Sequence, residues 1–271
     1  MILSELKIHN VRCVSNAHLH LHKKFNLIIG ANGSGKTSIL EALYLLSCGH
    51  SFRSREIAPI ITHEALDLTV FGKSFDNQRV SIQKSQSQPT LIKLNNELCN
   101  ATSQLAYALP TQVFYSDLFQ ILDAGPSVRR SVLDWGLFHV KHEYLQLWKQ
   151  YKKILKQRNA LLRQQASYNH FIPWDRQLSV LAQELDRLRA DYCIQWQLEF
   201  TKILPKLTAI ECDFYYFKGW DKKGAGKSLD QILEESYLAD KQKGYTQYGP
   251  HNADICIEYL NSKAKHTLSR G

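Results

Sequence analysis

Phe25-Asn26-Leu27-Ile28-Ile29-Gly30-Ala31-Asn32-Gly33-Ser34-Gly35-Lys36-Thr37 is the stretch that decides the fold. Its first five residues make a short apolar run that stops at a glycine, as a buried strand does. Residues 30–37 then satisfy G-x-x-x-x-G-K-[ST] at every fixed position. Glycines let successive backbone N–H groups turn toward one point and approach phosphate oxygens closely. Lys36 places a positive charge on the β- and γ-phosphates, and Thr37 offers its hydroxyl to Mg²⁺. From Thr37 to Leu46 the apolar residues fall at helical spacing, and Gly49 follows as a stop. The helix therefore points its N-terminus at the same anion. Strand, glycine loop and helix together predict a nucleoside triphosphate site made by Gly30, Ala31, Asn32, Gly33, Ser34, Gly35, Lys36 and Thr37.

A second glycine loop tests that standard. Lys223-Gly224-Ala225-Gly226-Lys227-Ser228 also follows a strand-like stretch and precedes a helical one. Asp221 stands where the first glycine is required, and the lead-in Trp220-Asp221-Lys222-Lys223 is polar rather than a strand end. This one reads as a surface loop with a helix cap at Ser228.

Outward from the phosphate loop, Met1 to Ile8 alternates like a first strand, and residues 68–71, 80–84 and 91–94 read as three more, separated by Asp76-Asn77 and Asn95-Asn96. They predict an antiparallel layer beside the nucleotide site, with 112–115 as a further candidate strand. From about residue 126 the pattern turns helical. Tyr144, Leu147, Trp148, Tyr151, Ile154, Leu155, Leu161 and Leu162 share one helical face, and Lys149, Lys152, Lys153, Lys156 and Arg163 the other. Pro173 opens a second helix bearing Leu178, Leu181, Leu185, Leu188 and Tyr192, and Pro205 closes it, which makes an antiparallel pair. Strands return at 210–217 and 255–257, with a helix carrying Leu229, Ile232, Leu233 and Tyr237 between them. The predicted class is α/β: a discontinuous P-loop lobe over 1–125 and 206–271, with a helical lobe inserted over 126–205.

The 271 residues carry a net charge of +9, and the window 129–163 holds nine Lys/Arg against two acids. A lysine stripe suits phosphate contact without sequence reading, so Lys149, Lys152, Lys153 and Lys156 are candidates for contacting DNA; a solvated helix face is the alternative. Arg158 projects instead onto the apolar face, where a charge needs a carboxylate or a helix C-terminus, and it reads as structural. Tyr144, Trp148 and Tyr151 also lie on the apolar stripe, which favours core packing over base stacking. His18, His20 and His22 alternate along one strand face; no acid lies near them in sequence, and a solvated face is preferred to a metal site. Six cysteines without zinc-ligand spacing read as reduced thiols. No apolar run reaches membrane-spanning length and no signal-peptide pattern opens the chain, so the expectation is a cytoplasmic protein without a membrane partner.

The run Leu6-Lys7-Ile8-His9-Asn10-Val11-Arg12, followed by GANGSGKTSILEALYLL, resembles the ABC-type ATPase heads of the SMC-like DNA-repair class. Within that class the chain is most similar to the RecF family of recombination mediators. The residues carrying this are Gly49-His50-Ser51-Phe52-Arg53, Gly125-Pro126 with Arg129-Arg130 and Leu133-Asp134, Lys156-Gln157-Arg158-Asn159, Gly249-Pro250-His251 with Ala253-Asp254, and Leu268-Ser269-Arg270-Gly271. The resemblance covers essentially the whole chain. It implies an ATP- and DNA-binding protein of SOS-linked recombinational repair and replication, acting on single-stranded, gapped or duplex DNA with RecO and RecR, and a weak DNA-dependent ATPase in the family. For the complete protein it also implies an ATP-dependent homodimer, in which each ATP lies between the P-loop of one head and the signature serine of the other. Arg12 and Ser269 are then further nucleotide contacts. The chain ends at Gly271, inside the signature; in the family the acidic pair that holds Mg²⁺ and positions the attacking water comes next. Nucleotide binding is therefore expected of this chain, and turnover is not. Neither Val132-Leu133-Asp134, which is too short, nor Phe119 to Asp123, which has a polar break, nor Ile255 to Glu258, which precedes the signature, substitutes for that strand. A small-molecule kinase or a transporter ATPase subunit would use the same P-loop, and the ordered motifs outside it argue against both.

Overall fold

Leu3, Leu6, Ile8 and Val11 are the buried positions of the first strand, β1 (Leu3–Val11), and they set the inner face of a six-stranded sheet. In the computed structural model the described residues are all but 55, 115–120, 122–123, 223, 260–261 and 264–271, with the backbone alone at 262–263. The chain divides into two units, Met1–Phe114 and Tyr115–Gly271, each with its own core.

In the first unit β2 (Val14–His20), β3 (Asp67–Ser74), β4 (Arg79–Ser85), β5 (Leu91–Leu94) and β6 (Glu97–Leu98) join β1 in the order β2-β1-β3-β4-β5-β6, every pair antiparallel. Leu68 and Val70 on β3 and Val80 and Ile82 on β4 alternate inward, as a sheet with one buried face requires. Helix α1 (Lys36–Cys48) lays Ala42, Leu45 and Leu46 into the same core. Burying each such leucine contributes about 1.5–3 kcal/mol. Gly72 lies beneath the helix: a Cβ there would stand 2.9 Å from Leu46 and 3.0 Å from Leu3. Gly49 ends α1 in the left-handed region, with its N–H donating to the Leu45 carbonyl. Helix α2 (Thr102–Ala108) adds Leu105 to the core.

The second unit is built on helices α3 (Pro126–Val140), α4 (Tyr144–Arg163) and α5 (Ile172–Leu207), followed by β7 (Asp213–Phe217), the short helices α6 (Leu229–Glu235) and α7 (Tyr237–Lys243), β8 (Asp254–Tyr259) and β9 (Ser262–Lys263). α4 and α5 form the predicted pair. β7, β8 and β9 make a separate antiparallel sheet. Phe214 and Ile255 from this sheet share one core with Leu133, Tyr151, Leu185 and Leu233 from the helices. Residues 213–259 therefore group with the helices of 126–205, a different division from the discontinuous lobe expected from sequence. Composition shows where helices begin and end; only packing shows which elements share a core.

Other local departures have local causes. α5 runs two residues past Pro205, which sits in its last turn; there the missing N–H removes one bond from a helix already ending. The expected single helix after Ser228 breaks at Ser236 into α6 and α7. Residues 112–114 form no strand, and 115 lies outside the described residues. Among the rejected substitutes for the acidic strand, Val132-Leu133-Asp134 lies within α3, Ile255–Glu258 within β8, and 119, 120, 122 and 123 fall outside the described residues. The largest departure is Phe25 to Ile29. It belongs to no sheet, and Phe25, Leu27 and Ile29 are 73%, 70% and 83% exposed. A strand exists only with a ladder partner, and among the described residues none pairs with it.

Candidate nucleotide site and basic helix

The phosphate loop closes on its own lysine. Lys36 Nζ donates to the Gly30 carbonyl at 2.8 Å and to the Ala31 carbonyl at 2.7 Å, lacing the loop into a ring. Ser34 N donates to the Ala31 carbonyl inside that ring. Gly33 and Gly35 stand at φ +81° and +91°, where a side chain would be strained. At Gly30 a Cβ would fall 2.7 Å from Ser34 Oγ. Gly35 is the N-cap of α1, and no side chain caps that terminus. Its first N–H groups thus face an anion approaching the exposed loop. Thr37 is exposed on the first turn. These features fit a triphosphate: backbone donors and Lys36 for the phosphates, and the Thr37 hydroxyl for Mg²⁺.

The second glycine loop shows what such a nest does when the protein fills it. The Asp221 carboxylate accepts the N–H groups of Ala225 and Gly226, each at 2.9 Å. Ser228 and Gln231 form a reciprocal capping box at the start of α6. The donors that would take a phosphate are already bonded to side chains.

Arg12 lies behind the phosphate loop at the turn between β1 and β2, in the left-handed region at φ +56°, a conformation that costs a non-glycine residue about 1–3 kcal/mol. Its guanidinium grips Glu41 of α1, Nε donating to Oε2 at 3.0 Å and Nη2 to Oε1 at 2.8 Å, and Nη1 donates to the Pro59 carbonyl. Glu41 is fully buried and also accepts the Ser51 hydroxyl, with Arg53 at 3.8 Å. Burial opposes its charge, but Arg12, Ser51 and Arg53 together hold its carboxyl below the usual value. Three of the five guanidinium N–H groups of Arg12 are used in this way. Glu41 escaped the sequence reading. The available signal was a lone acid on the buried face of the helix that follows the P-loop. Ser269, the other residue expected at the nucleotide, lies outside the described residues.

The basic window resolves into two kinds of charge. Arg129 makes a two-pronged pair with Asp254 at 2.8 and 3.1 Å, and Arg130 donates to the Ala253 carbonyl. Arg158 is fully buried between Asp175 and Asp240, both at 2.7 Å, as its place on the apolar face required. Arg189 is likewise buried against Asp134, Tyr144 and the Pro250 carbonyl; it follows Leu185 by one helical turn, so the test applied to Arg158 would have found it. Tyr144 and Tyr151 are core residues, and Trp148 lies under Arg189, 4.9 Å from its ring centroid. Lys149, Lys152, Lys153 and Lys156 are exposed along α4. His251 Nε2 lies 3.0 Å from the Thr246 carbonyl and Nδ1 2.7 Å from the Tyr151 hydroxyl. The carbonyl can only accept, so Nε2 carries the proton and Nδ1 accepts from the tyrosine. His18 pairs with Glu5 from the neighbouring strand at 2.7 Å, and no metal-holding cluster occurs among the described residues.

A P-loop closed by its lysine before an uncapped helix, beside an antiparallel sheet, defines a P-loop ATPase-type protein, and residues 1–186 match the family model "AAA ATPase domain". The chain is 40% identical over 278 residues to the DNA replication and repair protein RecF of Actinobacillus pleuropneumoniae serotype 5b, covering 100% of this chain and 76% of that one. It is 36% identical over 276 residues to that of Vibrio vulnificus, with the same coverage. A solved structure described as the recombination mediator protein RecF with ATP in the RecFOR pathway superposes on 99% of this chain and 76% of its own, with a TM-score of 0.88 at 24% identity. The chain belongs to the RecF family of DNA replication and repair proteins.

Proposed function

We propose that this chain is an ATP- and DNA-binding protein of recombinational repair. ATP sits in the loop 30–37, with Lys36 and the α1 N-terminus on its phosphates, Mg²⁺ at Thr37, and Arg12 and Ser269 as further contacts, Ser269 reaching the nucleotide of a second copy. DNA phosphates lie along Lys149, Lys152, Lys153 and Lys156. By family likeness the protein works with RecO and RecR in the cytoplasm, and the full-length family protein pairs with itself when ATP is bound. The observation that carries this reading is the Lys36 bond pair across the loop, in a chain of the RecF family. It is tested by titrating a fluorescent ATP analogue with Mg²⁺. Lys36→Ala is expected to weaken binding at least tenfold; unchanged affinity overturns the nucleotide site.

A further inference from the structure

α4 and α5 enclose an open groove of about 670 Å³ in the second unit. Ile154, Trp174, Val180 and Leu181 give it an apolar floor, and Val180 is 67% exposed. Three amides, Gln150, Gln157 and Gln177, also line it. The charged groups lining it are Lys153 and Arg176, with no carboxylate among the lining residues. Lys153 lines the groove, and Lys149 and Lys156 stand about one helical turn to either side of it on α4, about 6 Å of rise for each four residues.

Each feature selects against a different occupant. The cations reject a basic or uncharged segment. An acidic amphipathic helix would satisfy the cations but press aliphatic side chains onto three amides that need both donors and acceptors. A base offers a flat π-face for Trp174 and the aliphatic floor, and an edge that both donates and accepts for the glutamines. We propose that this groove takes the unstacked bases of a single-stranded polynucleotide, whose phosphates follow the lysines of α4. The inference rests on the DNA reading above and sharpens it, because a closed duplex cannot place its bases there.

The test measures anisotropy of the full chain with a labelled oligo(dT) and with a hairpin duplex of equal phosphate number. Trp174→Ala and Val180→Glu are each expected to weaken oligo(dT) binding about tenfold and leave duplex binding unchanged. Val180 is exposed, so its substitution opens no core cavity. Single-strand affinity that survives both variants overturns the groove, as does a parallel loss on duplex. A photo-crosslinker at Val180→Cys that captures an acidic amphipathic peptide and no oligonucleotide also overturns it. The combined change Lys149→Glu, Lys152→Glu and Lys156→Glu separates the two claims. If it leaves both DNA affinities intact, the DNA reading falls and the groove proposal with it. If it abolishes binding while the groove variants are silent, only the groove proposal falls.

Discussion

Replacing Arg158 by methionine should remove a large share of the second unit's stability. The guanidinium donates to Asp175 at 2.7 Å, to Asp240 at 2.7 Å and to Thr246 at 2.9 Å, and it lies 5.6 Å from the Phe171 ring centroid. Methionine keeps much of the volume but leaves two buried carboxylates without their cation. Breaking one buried pair costs about 3–5 kcal/mol. With two acids orphaned, the upper end of that range, about 5 kcal/mol, is expected, against a total stability of about 5–15 kcal/mol for a typical domain. All five tryptophans, 135, 148, 174, 196 and 220, belong to the second unit, so tryptophan fluorescence in urea reports that unit alone. Burial already lifts the Asp175 carboxyl above its ordinary value, against the pull of Arg158. Without the arginine it rises further, and the folded state then binds a proton before the unfolded chain does. The deficit should therefore shrink as pH falls from 7 toward 4. Adding Asp175→Asn and Asp240→Asn should recover most of the loss at neutral pH. A deficit under about 1 kcal/mol, or one that ignores both pH and the asparagines, would refute the view that this triad is a coupled charge system.

His251 is held below its ordinary value of 6.5, first by burial, so the unfolded chain takes up that proton earlier. Stability should be complete above about pH 6.5, fall as pH drops from there toward the depressed value, and level off below it; urea midpoints of His251→Asn should show a shallower slope, with His139, which burial also depresses, contributing in the same sense. Glu41→Gln should cost the first unit about 2 kcal/mol, because Arg12 and Arg53 lose their shared anion; the first unit has no tryptophan, so far-ultraviolet circular dichroism is the readout, and an unchanged melting curve contradicts the cluster. Lys227→Ala should leave ATP-analogue affinity untouched, since Asp221 already fills that nest; a clear loss would make the second loop a phosphate site. Four lysine contacts to a single strand should give a slope of log affinity against log salt of about −3; a flat salt titration excludes phosphate contact by α4.

The local problem was legible in the sequence. Residues 30–37 specify a phosphate loop because glycine, lysine and threonine at those spacings have few other physical uses, and the loop closes as that pattern requires. Arg158 declared itself structural by standing on an apolar helix face. Of the first sheet, β1, β3, β4 and β5 followed from alternation and turn residues, whereas β2 and β6 did not. Pairing across distance was not legible. Nothing near Arg12 in sequence points to Glu41, 29 residues away, and nothing near Arg129 points to Asp254, 125 residues away. The formal charge of the window 129–163 suggested one basic surface, yet Arg129, Arg130 and Arg158 spend theirs inside the second unit. Phe25 to Ile29 reads as a strand by composition and stays unpaired among the described residues, because propensity is a property of the chain and a ladder is a property of two chains of atoms side by side. The sequence by itself determined the chemistry of the phosphate loop and the periodicity of the helices. Tertiary structure alone decided which charges are free for a ligand and which are neutralised inside, because that depends on what burial brings within hydrogen-bonding distance.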